Sequence, residues 1–522
     1  MASTENSSVE WLVHVREAFA KTDGSAAAVT TALRETLSSV GAVAGAFIEG
    51  LGELMAYADG KTLGGTAVEA ECQAVAASRR IVRPLFQAKL QAQVDVLDKG
   101  CEGKAVCAEC KGVAQSEGRR SRRWGSLLGS IELKRRYASC DKCKTGIAPA
   151  QKPLGLSESD FTPRLEEVTT MLATTVPYGM ATSLVEKLCG IEVSIKGAEE
   201  MTARRGAEVL SQNAVEAQTC APYDENGLPV PKQKRPINTV PEDQTPKVAY
   251  LEVDGVIPIT REELTHDELT PNERRRIKRA KTAKARGGKG RRYRIVGKEV
   301  KNAVLYDGKD CAKESPGRGC ILKKTYVSHL GDWLGFAALL WVAMLRLRFD
   351  QAKLLVIISD GADWIRSLAK WLPIDTLMIL DLFHVKKRIW EAAHSLYGDK
   401  SAKASTWAHT QCERIENGHA KKVIEALRFL KPARADTKRI VDELAGYFEN
   451  NIDRMDYPEY RAKGLRVGSG AVESANFHVT GNRLILQGMR WSAEGAKEMA
   501  ALRADLFNGQ WEDRTHRLLA AA

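Results

Sequence analysis

The stretch KLLVIISDGADWIRSLAKWLPIDTLMILDLFHVKKRIW, residues 353–390, decides the fold. It holds two short apolar runs, LLVIIS and TLMIL, about a helix length apart, and each stops at an aspartate, Asp360 and Asp381. Short runs rich in Val, Ile and Leu read as strands buried on both faces. The intervening ADWIRSLAKWL has apolar residues at helical spacing and stops before Pro373. The unit is therefore strand, helix, parallel strand. Ligands of such sheets bind beyond the carboxyl ends of the strands, so two carboxylates at neighbouring tips suggest a metal or acid–base site. An aspartate in either place also serves to cap the next helix or open a turn.

Upstream, VAYLEV is a third strand-like run that ends at an aspartate, Asp254. Beyond it lies PNERRRIKRAKTAKARGGKGRRYR, residues 271–294, with Arg274, Arg275, Arg276, Lys278, Arg279, Arg291 and Arg292 among its cations. No core can be built from such a block; it is either a disordered, tail-like arm or a helix laid on a phosphate backbone. RIVGKEVKNAVLYDG and LKKTYVSHLG supply two more strands, and DWLGFAALLWVAMLRLRF an apolar helix capped by Asp332. Cys311 and Cys320 fall in a loop without a partner pair, and no metal is assigned to them.

The whole chain of 522 residues carries a net charge of +12 and has a pI near 9.1, which favours a polyanionic partner, nucleic acid before an anionic membrane. Its start, MASTENSSVEWL, lacks the features of a secretory signal, and the longest apolar run, residues 334–345, is too short to span a bilayer. A soluble, intracellular protein in a reducing compartment is expected.

Residues 1–100 read as a helical region, a scaffold or self-association element, with His14 and Cys72 as packing residues. Residues 101–150 read as a zinc ribbon: Cys107 and Cys110 form one CxxC, Cys140 and Cys143 another, with a hairpin and several arginines between them. Four thiolates at this spacing make a tetrahedral Zn²⁺ site; Cys101 is a spare. Residues 155–220 read as a helix-turn-helix: Thr162-Pro163 opens a helix, Gly190 closes a second, and Ser194 caps a longer third. Residues 221–246, rich in proline, read as a linker. The multidomain α/β chain continues over 247–522 with the aspartate-ended strands, and its stretch from about 391 to 466 reads as helical and charged. Past it, GSGAVES brings Glu473 near the start of a helix, where the helix dipole favours a carboxylate.

Together these motifs resemble a known family. Strand-Asp254, strand-Asp360 and helix-Glu473 resemble the DDE triad of RNase H-like transposases. DLFH, with Asp381 and His384, resembles the aspartate-or-cysteine, two residues, histidine signature of the Mutator-like superfamily and its bacterial insertion-sequence relatives. SDGADWI, DLFH, GSGAVES and GMRWS look closest to one bacterial insertion-sequence group, over roughly residues 247–511. The resemblance implies that residues 247–522 are an RNase H-like catalytic domain with 391–466 as its helical insertion, built on a sheet in which the first strand is central and the fourth is its parallel neighbour. It implies two Mg²⁺ (or Mn²⁺) held by Asp254, Asp360 and Glu473, and a His384 that polarises or positions a phosphate. It further implies double-stranded DNA as partner (transposon ends and target), no membrane, a homo-oligomer and a place in the bacterial cytoplasm on the nucleoid. Arg483 and Arg490 suit phosphates, and Trp491 suits an unpaired base or the core. The basic insertion after Asp254 has no place in the family pattern. Two other readings stand beside the transposase: a DNA-binding regulator that does not cut, and an RNase H-like nuclease or resolvase without strand transfer.

Overall fold

The computed structural model describes residues 66–100, 105–107, 109–156, 159–236, 238–263, 270–284, 293–315 and 318–514. The chain divides into two compact units, residues 1–201 with 513–522, and residues 202–512. Most of the expected N-terminal helical region, His14 and Cys101 lie outside the described residues.

In the first unit, helix α1 (Ala67–Gly100) precedes a long antiparallel hairpin, β1 (Gln115–Ser126) with β2 (Gly129–Ser139). The turn is possible because Gly129 takes φ +115°. Trp124, Ile131 and Leu133 from the hairpin are buried with Val94 of α1 in one small core. Its arginines are partly committed inside the unit: Arg119 pairs with Asp95, Arg122 with Asp160 and Arg123 with Glu132. Three helices follow, α2 (Pro163–Thr175), α3 (Tyr178–Cys189) and α4 (Ile195–Cys220), the last continuing into the second unit. Gly190 ends α3 in the left-handed conformation, φ +65°, and Ser194 Oγ accepts the Gly197 N–H at 2.9 Å. Thr162, at the N-cap of α2, makes no side-chain capping bond, and Pro163 takes the first helical position, where its missing N–H costs nothing.

The second unit is built on a five-stranded sheet. Its strands are β3 (Val248–Val256), β4 (Val300–Asp307), β5 (Thr325–Leu330), β6 (Leu354–Ser359) and β7 (Thr376–Leu380), in the spatial order β5-β4-β3-β6-β7. β3 pairs antiparallel with β4 and β4 with β5, whereas β6 runs parallel to both β3 and β7. Between β3 and β4 in sequence, the basic block forms helix α5 (Pro271–Lys284), which opens with a Thr270–Glu273 capping box. Both faces of the sheet are covered, and residues alternate between them with period two. Ala249, Leu251 and Val253 face a core shared with helices α6 (Trp333–Arg346) and α7 (Asp363–Trp371). Tyr250, Val304, Tyr306, Val356 and Ile358 face the other core. That core includes helices α8 (Leu382–Tyr397), α9 (Ala402–Glu416), α10 (Ala420–Phe429) and α11 (Ala435–Asn451), so the charged helical stretch is packed onto the sheet by its apolar stripe. Helices α12 (Gly470–Ala475) and α13 (Ala493–Phe507) complete the unit.

Residues 221–246, read as a linker, are strapped to the second unit: Trp371 Nε1 donates to the Pro229 carbonyl at 2.6 Å, Trp341 Nε1 to that of Lys232 at 2.9 Å, and Arg235 makes a bidentate pair with Asp350. An indole N–H turned away from water needs an acceptor, and the strap supplies one to each tryptophan. Cys311 and Cys320, expected in a loop, sit in a two-stranded ladder, Cys311–Ser315 with Arg318–Ile321.

Candidate carboxylate–histidine centre and four-cysteine site

The centre lies beyond the carboxyl ends of β3, β6 and β7. Val253 is in register with Ser359, and Ser359 with Leu380. The next residues are Asp254, Asp360 and Asp381, so parallel pairing brings three aspartates to three adjacent strand tips. Each then meets a different environment.

Asp254 is partly buried. Its Oδ1 accepts the Gly255 N–H at 2.8 Å and its Oδ2 the Asn476 amide at 2.6 Å. Burial pushes its pKa up to about 6; the Gly255 bond opposes this, the charge of Asp360 adds to it, and His384 and Asn476 oppose it. Asp360 Oδ1 accepts the Ala362 N–H at 3.1 Å, and its carbonyl accepts the Tyr447 hydroxyl of α11 at 2.7 Å.

Asp381 is fully buried and caps α8. Oδ1 accepts from Phe383 N at 3.1 Å and Ser469 N at 2.9 Å; Oδ2 accepts from His384 N at 3.1 Å and lies 2.6 Å from His384 Nδ1. Burial opposes its charge, but the His384 ring and the Ser469 and His384 donors outweigh it and hold its pKa below the usual range. The same contact raises His384, against burial, with the charges of Asp381, Asp254 and Glu473 adding to it. With Nδ1 engaged, the Nε2 side of the ring is the one open to a ligand.

Glu473 is the fourth residue of α12, and its Oε1 lies 3.7 Å from His384 Nδ1. Burial raises its pKa; His384 opposes this and Asp381 adds to it. Among the described residues, Asp381, His384 and Glu473 form one of two groups whose ligand atoms all lie within 4.8 Å of one another. Asp254 and Asp360 stand beside this group but are not part of it. Carboxylate oxygens are the donors that Mg²⁺ and Mn²⁺ take.

The second group is Cys107, Cys110, Cys140 and Cys143. The two CxxC knuckles share one backbone turn. Lys111 and Lys144 both take positive φ, 57° and 56°, and each donates to the carbonyl of the first cysteine of its knuckle, at 3.0 and 2.7 Å. Cys107 is pulled down to about 6 by the Cys110 backbone N–H, the Thr145 hydroxyl and the Glu109 N–H. Four thiolates at one point are the donor set of a structural zinc, so the group can hold such a metal.

The basic candidates separate by exposure. Arg274, Arg275, Arg276 and Arg279 are exposed on α5, and Arg490 is exposed near the carboxyl end of the unit. The Lys278 side chain, Arg291 and Arg292 lie outside the described residues. Arg483 is 1% exposed, with its guanidinium 4.7 Å from the centroid of the buried Trp491 ring. That burial leaves neither side chain a surface for phosphate or base in this conformation. Sequence reasoning missed Glu252 and Asn302, two buried polar residues under the centre. The available signal was a lone acid in the apolar run VAYLEV, two residues before Asp254 and therefore on its face.

This is a protein with a four-cysteine group in one unit and a carboxylate–histidine centre at the strand tips of the other. The model of an uncharacterised protein family, UPF0236, matches residues 333–517. Two UPF0236 proteins of Caldanaerobacter subterraneus subsp. tengcongensis are each 27% identical over 213 residues, 39% of this chain. The chain covers less than half the length of these relatives, 42% of one and 39% of the other. Among solved structures, the Drosophila P element transposase strand transfer complex aligns over 69% of this chain and 82% of its own, with 10% identity and a TM-score of 0.21. A score that low does not establish a shared fold. Among the described residues no helix is long and apolar enough to cross a membrane.

Proposed function

We propose that this chain is a DDE transposase with an RNase H-like catalytic domain. It binds the terminal inverted repeats of its insertion sequence, cleaves to expose 3′-OH ends and joins them to target DNA. One observation carries this reading: the sheet order β5-β4-β3-β6-β7, with only β4 reversed, sets Asp254 and Asp360 side by side at the tips of β3 and β6. The expected RNase H-like order has the first strand central and the fourth as its parallel neighbour, which are β3 and β6 here. The helix carrying Glu473 follows the helical insertion and docks on β3.

Asp254, Asp360 and Glu473 are the ligands in this reading. Two Mg²⁺ or Mn²⁺ bound there would stabilise the attacking and leaving oxygens of a phosphodiester displacement. Asp381 holds His384 by its Nδ1, and an imidazolium there offers positive charge, and a hydrogen bond from Nε2, to a phosphate oxygen. The four cysteines hold one structural Zn²⁺. Arg274, Arg275, Arg276 and Arg279 bind the phosphate backbone.

The test is a strand-transfer assay. Full-length protein, Mg²⁺, a target plasmid and a duplex carrying the sequences that flank the coding region are incubated together. The reading expects 3′ ends of the duplex joined to the plasmid. Cleavage without joining would establish a nuclease instead, and binding with neither would establish a regulator.

A further inference from the structure

The segment that carries Glu473 cannot hold itself in place. Helix α12 has only six residues and runs directly into a π-helical turn, Asn476–Gly481. A helix so short is unstable without tertiary contacts. Two buried polar residues of the sheet supply them, one at each end.

At the start, Glu252 projects from β3 on the same face as Asp254 and is fully buried. Its Oε2 accepts the Ala471 and Val472 N–H groups at 2.8 and 2.9 Å, and its Oε1 the Tyr306 hydroxyl at 2.6 Å. Two N–H groups of the helix start thereby find a carboxyl oxygen as acceptor inside the protein, the Val472 N–H sharing it with the Ser469 carbonyl at 3.1 Å. The two backbone N–H groups can only donate, so they need the acceptor oxygen that Glu252 supplies and a hydrocarbon side chain would not. At the far end, Asn302 of β4, 2% exposed, donates to Asn476 Oδ1 at 2.7 Å and to Thr480 Oγ1 at 2.9 Å. Its own oxygen accepts from the Ser328 hydroxyl. Asn476 in turn donates to Asp254 Oδ2 at 2.6 Å, so the clamp at this end also orients a strand-tip carboxylate.

We propose that Glu252 is a positioning residue: with Asn302 it clamps the Glu473 segment to the sheet, holding the Glu473 carboxylate beside His384 and thereby setting the metal affinity of the centre. This rests on the reading of Asp254, Asp360 and Glu473 as ligands. Glu252 touches neither metal nor DNA; it acts through the two backbone N–H groups it holds. Outer residues of this kind change metal affinity by about 10- to 100-fold when altered.

The experiment is Mn²⁺ binding by the full-length, zinc-loaded protein, followed by loss of the free-ion electron paramagnetic resonance signal, with thermal unfolding recorded on each sample. Wild type should bind Mn²⁺, and Glu473→Gln should bind it more weakly. Glu252→Leu, which removes the acceptor, should weaken binding by about tenfold or more at temperatures where it remains folded. A merely structural Glu252 would lower the unfolding temperature and leave the affinity of the folded protein at the wild-type value, which overturns the proposal. Tyr306→Phe covers the case in which Glu252→Leu does not fold. It removes one donor and keeps the ring stacked on Tyr250, whose centroid is 5.0 Å away. It should weaken Mn²⁺ several-fold, and unchanged binding overturns the proposal equally. If wild type and Glu473→Gln bind alike, the ligand assignment itself fails, a result distinct from either of these.

Discussion

Asp381 and Asp254 both end apolar strands, yet their surroundings give them different work. Asp381 commits its carboxylate to Phe383, His384 and Ser469, with no exposed surface. Asp254 keeps part of its carboxylate open beside Asp360. The expected consequence is separable. Asp381→Asn turns an amide toward donors, and an unmet buried donor costs about 1–3 kcal/mol; urea unfolding should show a loss of that size. Asp254→Asn should cost no stability and should raise it near neutral pH, because burial already disfavours the Asp254 charge. Equal losses in both variants would contradict the distinction. Glu498, on α13, tests the electrostatics far from the centre. It packs against α4 where Gly206 leaves room: a Cβ there would lie 2.5 Å from the Glu498 Cβ. Burial and the charge of Glu494, opposed by Lys497, push its pKa up to about 7. The fold thus favours its neutral form. That contribution is complete below about pH 4.3, the usual glutamate value, and is lost as pH rises through about 7. Glu498→Gln should match wild type near pH 5 and be more stable near pH 8, by about 1–2 kcal/mol once solvent screening is allowed for. An identical pH dependence in the two proteins would show that Glu498 titrates normally.

At the scale of elements, the two CxxC knuckles and the basic helix each carry a prediction. Zinc analysis of the full chain should give about one ion per molecule, and Cys107→Ser should abolish it, because three thiolates lose the closed tetrahedral shell. No zinc in the wild-type protein would remove the ribbon from the account. Replacing Arg274, Arg275, Arg276 and Arg279 with Gln should flatten the plot of log affinity for DNA against log salt by up to about 3.6, near 0.9 for each phosphate no longer neutralised. An unchanged slope would mean that α5 lies off the DNA. These elements were legible because their signals are local: cysteine spacing, a run of cations, strands that end at aspartates. The clamp was not, because its partners come from different elements. Ala471 and Val472 offer backbone N–H groups, which leave no trace in residue type, and Glu252 is recognisable only once α12 is known to lie over β3. The 221–246 strap was hidden for the same reason. Proline and charge make it look free, and only the Trp341 and Trp371 indoles reveal what its carbonyls do.

Across the whole second unit, the sheet is what joins residues that the sequence keeps more than a hundred positions apart. Strand order and register fix Asp254 beside Asp360, and the helical insertion returns the chain to the sheet at α12. The order of strands could be expected from the apolar runs only through the family resemblance, since parallel pairing of β3 with β6 passes over β4, β5 and α6 in sequence. Helix α5, inserted between β3 and β4, belongs to no part of that pattern, and of the two forms left open by the sequence, arm or helix, it takes the helix. The central claim is that Asp254, Asp360 and Glu473 act as one catalytic unit. Its most direct test is strand cleavage and joining by Asp254→Asn, Asp360→Asn and Glu473→Gln, with the exposed Asp363→Asn as control and end binding measured in parallel. The account predicts that all three lose cleavage and joining while binding DNA ends as wild type does, and that Asp363→Asn stays active. Full activity in any one of the three would contradict it.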